Sequence, residues 1–165
     1  MPSVRSVFRP GTLMTGTPPR THGDRVFKET LPMPDHLPTL AQTFRNAGYQ
    51  AYAVGKLHVY PQRNRIGFDD VILDEEGRQQ YGAVDDYELF LGDEGYAGQY
   101  RTRHEQQRVQ QPALASARAH PPTNWATTQM CRVINGATRP GPAGISPYRH
   151  PHPPIVPLPL FGSVP

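Results

Sequence analysis

DHLPTLAQTFRNAGYQAYAVGKLH (residues 35–58) is the stretch whose reading decides the fold. Leu37, Leu40, Ala41, Phe44 and Ala47 recur at the three- and four-residue spacing of one helix face, which makes them core candidates. Pro38 suits a first helical turn, where its missing N–H costs little, and Gly48 stands where a left-handed C-cap belongs. The spacing predicts a helix from about Pro38 to Ala47. Directly after it, YQAYAVG (49–55) is short, aromatic and partly β-branched, with apolar side chains that would fall on both faces of a strand. Such a run reads as a buried strand of a helix-covered sheet. Helix, glycine and strand in that order are half of a βαβ unit, so the expected fold class is α/β.

Gly55, Lys56 and His58 follow at the carboxyl end of that strand. In open α/β sheets, ligands bind beyond the carboxyl ends of the strands. Glycine permits close backbone approach, lysine offers a point positive charge, and imidazole can donate a hydrogen bond or a proton. The set suits a sulfate or phosphate ester. Read on spacing alone, Lys56 and His58 suit solvated residues where a strand meets a loop better than they suit a site.

Composition narrows the rest. The chain has 165 residues, enough for one ordinary domain, and 36% of them are hydrophobic. Proline is concentrated towards the end: eight prolines fall in residues 1–98 and twelve in residues 99–165. Charge divides at the same place, with 10 Lys and Arg against 13 Asp and Glu in the first part and 7 against 1 in the second. The first part is therefore mildly acidic, and the second is basic and poorly suited to packing. The basic residues of the second part are scattered among Pro, Gln and Ala with no stripe and little aromatic interleaving, which argues against nucleic acid despite a pI near 9.2. The single cysteine, Cys131, excludes an internal disulfide and a cysteine-based zinc site. No apolar run approaches membrane-spanning length, and MPSVRSVFRPGTLMTG (1–16) lacks the apolar core of a signal peptide, so a cytoplasmic location without membrane association is expected.

Two flanking stretches extend the pattern: TLMTGTPPRTHG (12–23), rich in turn residues, and NRIGFDDVI (64–72), which reads as a turn and the next strand. Thr15-Gly16, the prolines at 18 and 19, His22-Gly23, Gly55-Lys56-Leu57-His58 and Gly67-Phe68-Asp69 occur in one order. Over about residues 12–72 that order and its spacings resemble the amino-terminal region of the sulfatase family, whose fold is the alkaline-phosphatase-like α/β sheet. NWATTQMCRVI (124–134) reads as an amphipathic helix with Trp125, Met130, Val133 and Ile134 as core candidates. YRHPHPPIVP (148–157) after it resembles the family segment in which a strand ends in a turn carrying an active-site histidine, with His152 at the matching position and His150 beside it. Without the family, this stretch reads as an extended polyproline segment.

The resemblance implies hydrolysis of a small-molecule sulfate ester, with phosphonate esters as a related substrate class. Its chemistry uses a formylglycine made from a motif cysteine or serine, and a divalent cation, usually Ca2+. Carried over residue by residue, Lys56 would contact the sulfate oxygens, His58 would hydrogen-bond the formylglycine hydroxyl, and His152 would bind the sulfate or the leaving oxygen. The nucleophile motif itself, Cys-x-Pro-Ser-Arg or a close variant, is not met. Counting back from Thr15 and Gly16 puts its first position on Ser6, but Phe8, Arg9 and Pro10 then stand where Pro, Ser and Arg belong. In a second register Met1 to Ser3 are a remnant of x-Pro-Ser, and Arg5 or Arg9 stands for the arginine at the wrong spacing. No metal ligand is assigned, because Asp69-Asp70 and Asp85-Asp86 read as turn residues or solvated faces.

The organisation expected is a partial sulfatase-like α/β domain over residues 1–98 and an irregular linker over 99–123. A helix and a Pro-rich, largely irregular segment over 124–165 would continue the same domain. Residues 99–123 and 135–146 lack the apolar patterning of their surroundings, as loops do, or as a shifted reading frame would leave them. The function expected is that of a sulfatase-family hydrolase, present as an incomplete and inactive fragment. Its alternatives are a noncatalytic anion-binding remnant and a mostly disordered protein whose proline-rich part binds a partner.

Overall fold

The structure of the chain, a computed structural model, describes residues 10–22, 32, 34–75, 83, 85–96, 120–138, 142–145 and 147. Two short helices, α1 (Pro10–Thr15) and α2 (Pro19–His22), come first, each opening on a proline that is pre-set for a first turn. Buried His22 ties them together, with its Nε2 3.0 Å from the Thr12 hydroxyl.

Helix α3 (Leu40–Asn46) is shorter at its start than the spacing predicts. Thr39 takes the N-cap, where its Oγ1 accepts the Gln42 N–H at 3.1 Å while its hydroxyl donates to the Ile66 carbonyl at 2.7 Å. At the other end Gly48 has φ +90°, as expected of a left-handed cap. The Gly48 N–H bonds the Arg45 carbonyl and the Tyr49 N–H bonds the Phe44 carbonyl, the paired bonds of a Schellman motif. The Tyr49 ring meets Phe44 edge-on with centroids 5.7 Å apart, which is the hydrophobic contact that accompanies such an end. This corrects the predicted core face: Ala41 is buried, but Leu40, Phe44 and Ala47 are exposed. Phe44 locks the helix end instead of filling the core.

Strands β1 (Gln50–Gly55), β2 (Asp70–Leu73) and β3 (Pro142–Ile145) form one parallel sheet in the order β2-β1-β3. The expected α/β character therefore holds in a small parallel sheet with helices. β1 is central, and Ala51, Ala53, Val54 and Gly55 along it are buried. Alternating side chains go to opposite faces. Ala51, Ala53, Val71 and Leu73 join Met14, Ala41, Leu57, Val59, Ile66 and Phe68 in one cluster. Val54 joins the other cluster with Tyr87, Leu91, Trp125 and Ala126, and Ile72 packs against it.

That second cluster comes from α4 (Asp86–Leu91), which runs on into a π-type turn at Gly92–Tyr96, and from α5 (Pro122–Asn135). The predicted helix over 124–134 is present and two residues longer at its start. Trp125 is buried in it and Met130 and Val133 pack against the cluster, whereas Ile134 is exposed, contrary to expectation. Helix α4 was not anticipated. Strand β3 likewise lies within 135–146, which reads as irregular, and its Pro142 and Gly144 explain the weak signal. Gly144 lies against the end of the Met130 side chain, whose sulfur would come within 2.9 Å of a β-carbon there, so α5 and β3 meet closely at this point. Residues 1–9, most of the expected linker at 99–123, and the Pro-rich stretch from 148 onward lie outside the described residues.

Candidate active site

Because all three strands are parallel, their carboxyl ends share one edge of the sheet, and each delivers a short segment there. Gly55 ends β1 and Lys56, Leu57 and His58 follow it, Asp74 and Glu75 follow β2, and Pro147 follows β3. Gly55 has φ +118°, and a β-carbon there would collide with the Pro147 carbonyl oxygen, so only glycine fits. That same oxygen accepts the Lys56 N–H at 3.0 Å. The Asp74 N–H donates to the Gly55 carbonyl at 3.1 Å, so β1 is held from both neighbours as it leaves the sheet.

Leu57 and Val59 are buried in the core, while Lys56 and His58, which alternate with them, are half-buried. The alternation anchors the segment by its apolar side chains. His58 has φ +53°, in the left-handed region that a histidine enters at some cost. The N–H groups of Leu57 and His58 both donate to Glu75 Oε1, each at 2.7 Å. Successive amides converging on one oxygen form a backbone anion nest, here filled by a side chain of the chain itself.

Glu75 is buried, and its own N–H donates to Asp85 Oδ2 at 3.0 Å. Asp85, also buried, caps α4 by accepting the Glu88 N–H at 2.7 Å on its other oxygen. Burial pushes the Glu75 carboxyl up to about 7, against the opposing pull of the His58 and Leu57 amides and the Lys56 charge. Burial likewise pushes Asp85 up to about 7, with buried Asp74 adding to the rise. Asp86 accepts the Leu73 N–H at 2.7 Å and pairs with Arg63 at 3.1 Å. The expectation of solvated faces for Asp85-Asp86 is therefore corrected: one is a buried cap and the other ties α4 to β2. Asp69 is also more than a turn residue, since it accepts the Ala51 N–H at 2.8 Å and pairs with Arg45 at 2.8 Å. Asp70 is exposed and pairs with Arg65, as a surface residue does.

The chain matches the sulfatase family over residues 9–123. It belongs to that family. Over 62 residues it is 39% identical to an arylsulfatase of Clostridium perfringens (strain 13 / Type A), a match covering 38% of this chain and 13% of that protein. The chain thus corresponds to a small part of the length of the curated relative it matches.

Of the site residues expected from sequence, Lys56 and His58 come together after β1, and His152 lies outside the described residues, as do Ser6 and Met1 to Ser3. Pro147, five positions before His152, is at the same edge. The Ca2+ that the family implies finds no fit here: among the described residues no three His, Cys, Asp or Glu side chains gather to hold a metal ion. The buried carboxylates Glu75 and Asp85 instead accept backbone amides and are pushed towards the neutral form. Cys131 is exposed on α5 and is followed by Arg132 and Val133, so it does not carry the motif from which a formylglycine is made. Sequence reading missed Glu75 and Asp85. Two signals were available: acidic residues directly after the apolar run Val71-Ile72-Leu73, and Asp85 three residues before Glu88, the spacing of a capping box. Among the described residues, no helix is long and apolar enough to cross a membrane.

Proposed function

We propose that this chain carries the anion-binding edge of a sulfuric ester hydrolase, in which Lys56 holds the oxygens of a sulfate ester. His58 donates a hydrogen bond to the reacting group, and His152 approaches the sulfate or leaving oxygen from the segment after β3. One observation carries the reading. A lysine and a histidine stand at the carboxyl edge of a parallel sheet, on a backbone fixed at both Lys56 N–H and His58 N–H. A lysine ammonium and a histidine imidazole two residues apart suit a tetrahedral oxyanion, and a fixed backbone limits how far either can shift as charge builds on the leaving oxygen.

The family acts on sulfate esters, and a phosphonate monoester presents the same charged tetrahedral oxygens. No step is assigned to a metal or a formylglycine, whose ligands and precursor are not found among the residues described. None of the chain's serines, nor Cys131, begins the x-Pro-Ser-Arg sequence of the nucleophile motif. We infer that the chain by itself binds the anion without turnover. We also infer that residues 124–165 continue the domain of residues 1–98, a reading supported by the pairing of β3 with β1.

The test is hydrolysis of an aryl sulfate and an aryl phosphonate by the purified full chain with calcium or manganese, beside calorimetric titration with sodium sulfate. The expected result is no turnover, with sulfate bound by the parent and lost in Lys56→Ala. Turnover that Lys56→Ala abolishes would show a working nucleophile in the chain and overturn the inactive reading. Equal sulfate binding by both proteins would remove Lys56 from the site.

A further inference from the structure

The carboxyl edge also holds buried acids that the reading of Lys56 and His58 does not use. Glu75 is only 3% exposed, in a place where an apolar side chain would avoid the cost of desolvating an acid. A buried carboxyl is retained at such cost when something needs its oxygens. Here the need is visible: Leu57 and His58 leave the sheet at the end of β1, so no neighbouring strand takes their N–H groups, and the left-handed turn at His58 brings both inward onto Glu75 Oε1. Unmade, those bonds would leave two donors without their acceptor beneath the loop.

Resting on the reading of Lys56 and His58 given above, we propose that Glu75 is a positioning residue: its carboxyl fixes the backbone at Leu57 and His58 and thereby sets where Lys56 and His58 meet the anion. Asp85 extends the device, because it holds the Glu75 N–H with one oxygen and the start of α4 with the other. The site's cationic segment is thus fastened through two buried acids to α4, which packs on the sheet face of Val54 and Ile72. Glu75 does not touch the substrate. A bare carboxylate that near would repel an anion, but the buried acid is held towards its neutral form, and so offers an acceptor without a full opposing charge.

Glutamine keeps an oxygen at the place of Oε1 and carries no charge, so it mimics the neutral acid. The experiment records the amide resonances of Leu57 and His58 and the affinity for sodium sulfate in the full chain, for the parent, Glu75→Gln, Glu75→Ala and Lys56→Ala. In Glu75→Ala both amides are expected to shift and sulfate to bind about tenfold more weakly, the equivalent of one lost charge-assisted contact. Glu75→Gln is expected to restore both to within about twofold of the parent, a rescue that a merely space-filling role would not need from the amide oxygen. If Glu75→Ala does not fold, Glu75→Asp, which withdraws the carboxyl by one methylene, takes its place with the same expectation. Unmoved amides overturn the proposal, and so does undiminished sulfate affinity when Lys56→Ala is defective. Sulfate affinity indifferent to Lys56→Ala would instead overturn the anion-site reading on which the proposal rests, and the amide shifts keep that failure separate from a failure of Glu75 to hold the loop.

Discussion

Lys56 and His58 on one side, and Glu75 and Asp85 on the other, occupy the same edge of the sheet. They differ in almost every physical respect. The first pair is basic, half-buried and carried on a segment whose side chains alternate between core and edge. The second pair is acidic, buried, and engaged through its oxygens with backbone amides of two other segments. The comparison separates the residues suited to meeting a ligand from those that hold them still. A buried acid whose oxygens accept backbone N–H groups does structural work, whatever its resemblance to a catalytic carboxylate.

The division can be broken most severely at the junction itself. Gly55→Ala forces a β-carbon into both an unfavourable φ and the Pro147 carbonyl, and is expected to destabilise the chain by about 3 kcal/mol, read from the midpoint of urea unfolding. Unchanged stability there would mean that β3 does not close against β1. Next in size, Asp85→Ala removes the α4 cap and orphans the Glu75 N–H, at a cost of about 2 kcal/mol. Asp85→Asn keeps one of the two acceptor oxygens but sets an NH2 against the other N–H, so it should recover only part of that loss, leaving a cost of about 1 kcal/mol by the same measurement.

Acidity sharpens the comparison without a mutation. Glu75 and Asp85 rise from ordinary values of 4.5 and 3.8 to about 7 in the fold. The folded chain therefore holds protons that the unfolded chain has released, so this contribution to stability is full below about pH 4 and is lost as pH rises through 7. Lys56 opposes the shift of Glu75, Asp74 reinforces both shifts, and Glu88 adds to that of Asp85. The urea midpoint should fall between pH 5 and pH 8, and Glu75→Gln should flatten that fall. A midpoint that rises over the range would contradict the burial of these acids. The smallest effect belongs to the exposed Arg45–Asp69 pair, where Arg45→Ala should cost less than about 1 kcal/mol because solvent screens the charges.

Much of the basic half was legible in the sequence. Gly48, the apolar run of β1 and the Gly55-Lys56-x-His58 end each carry a local rule, and the structure places all of them in one unit. Periodicity misled at Leu40 and Phe44, since helical spacing marks a face without saying what covers it. Phe44 finds its partner in Tyr49, just past the helix end. The supporting half was harder to read. Whether an acid is solvated or buried depends on chain segments far away in sequence, and Glu75 is buried by a loop 17 residues earlier and a helix that begins after Asp85. Strand β3 was hidden for a related reason: four residues containing a proline and a glycine become a strand only because β1 offers an unpaired edge.

The central claim is that the edge after β1 binds an anion through Lys56, on a loop fixed by Glu75. It is tested most directly by titrating the full chain with sodium sulfate while following every backbone amide by two-dimensional NMR. The account predicts saturable shifts centred on the Lys56, Leu57 and His58 amides that vanish in Lys56→Ala. Shifts spread evenly over the exposed arginines, or unchanged in Lys56→Ala, would contradict it.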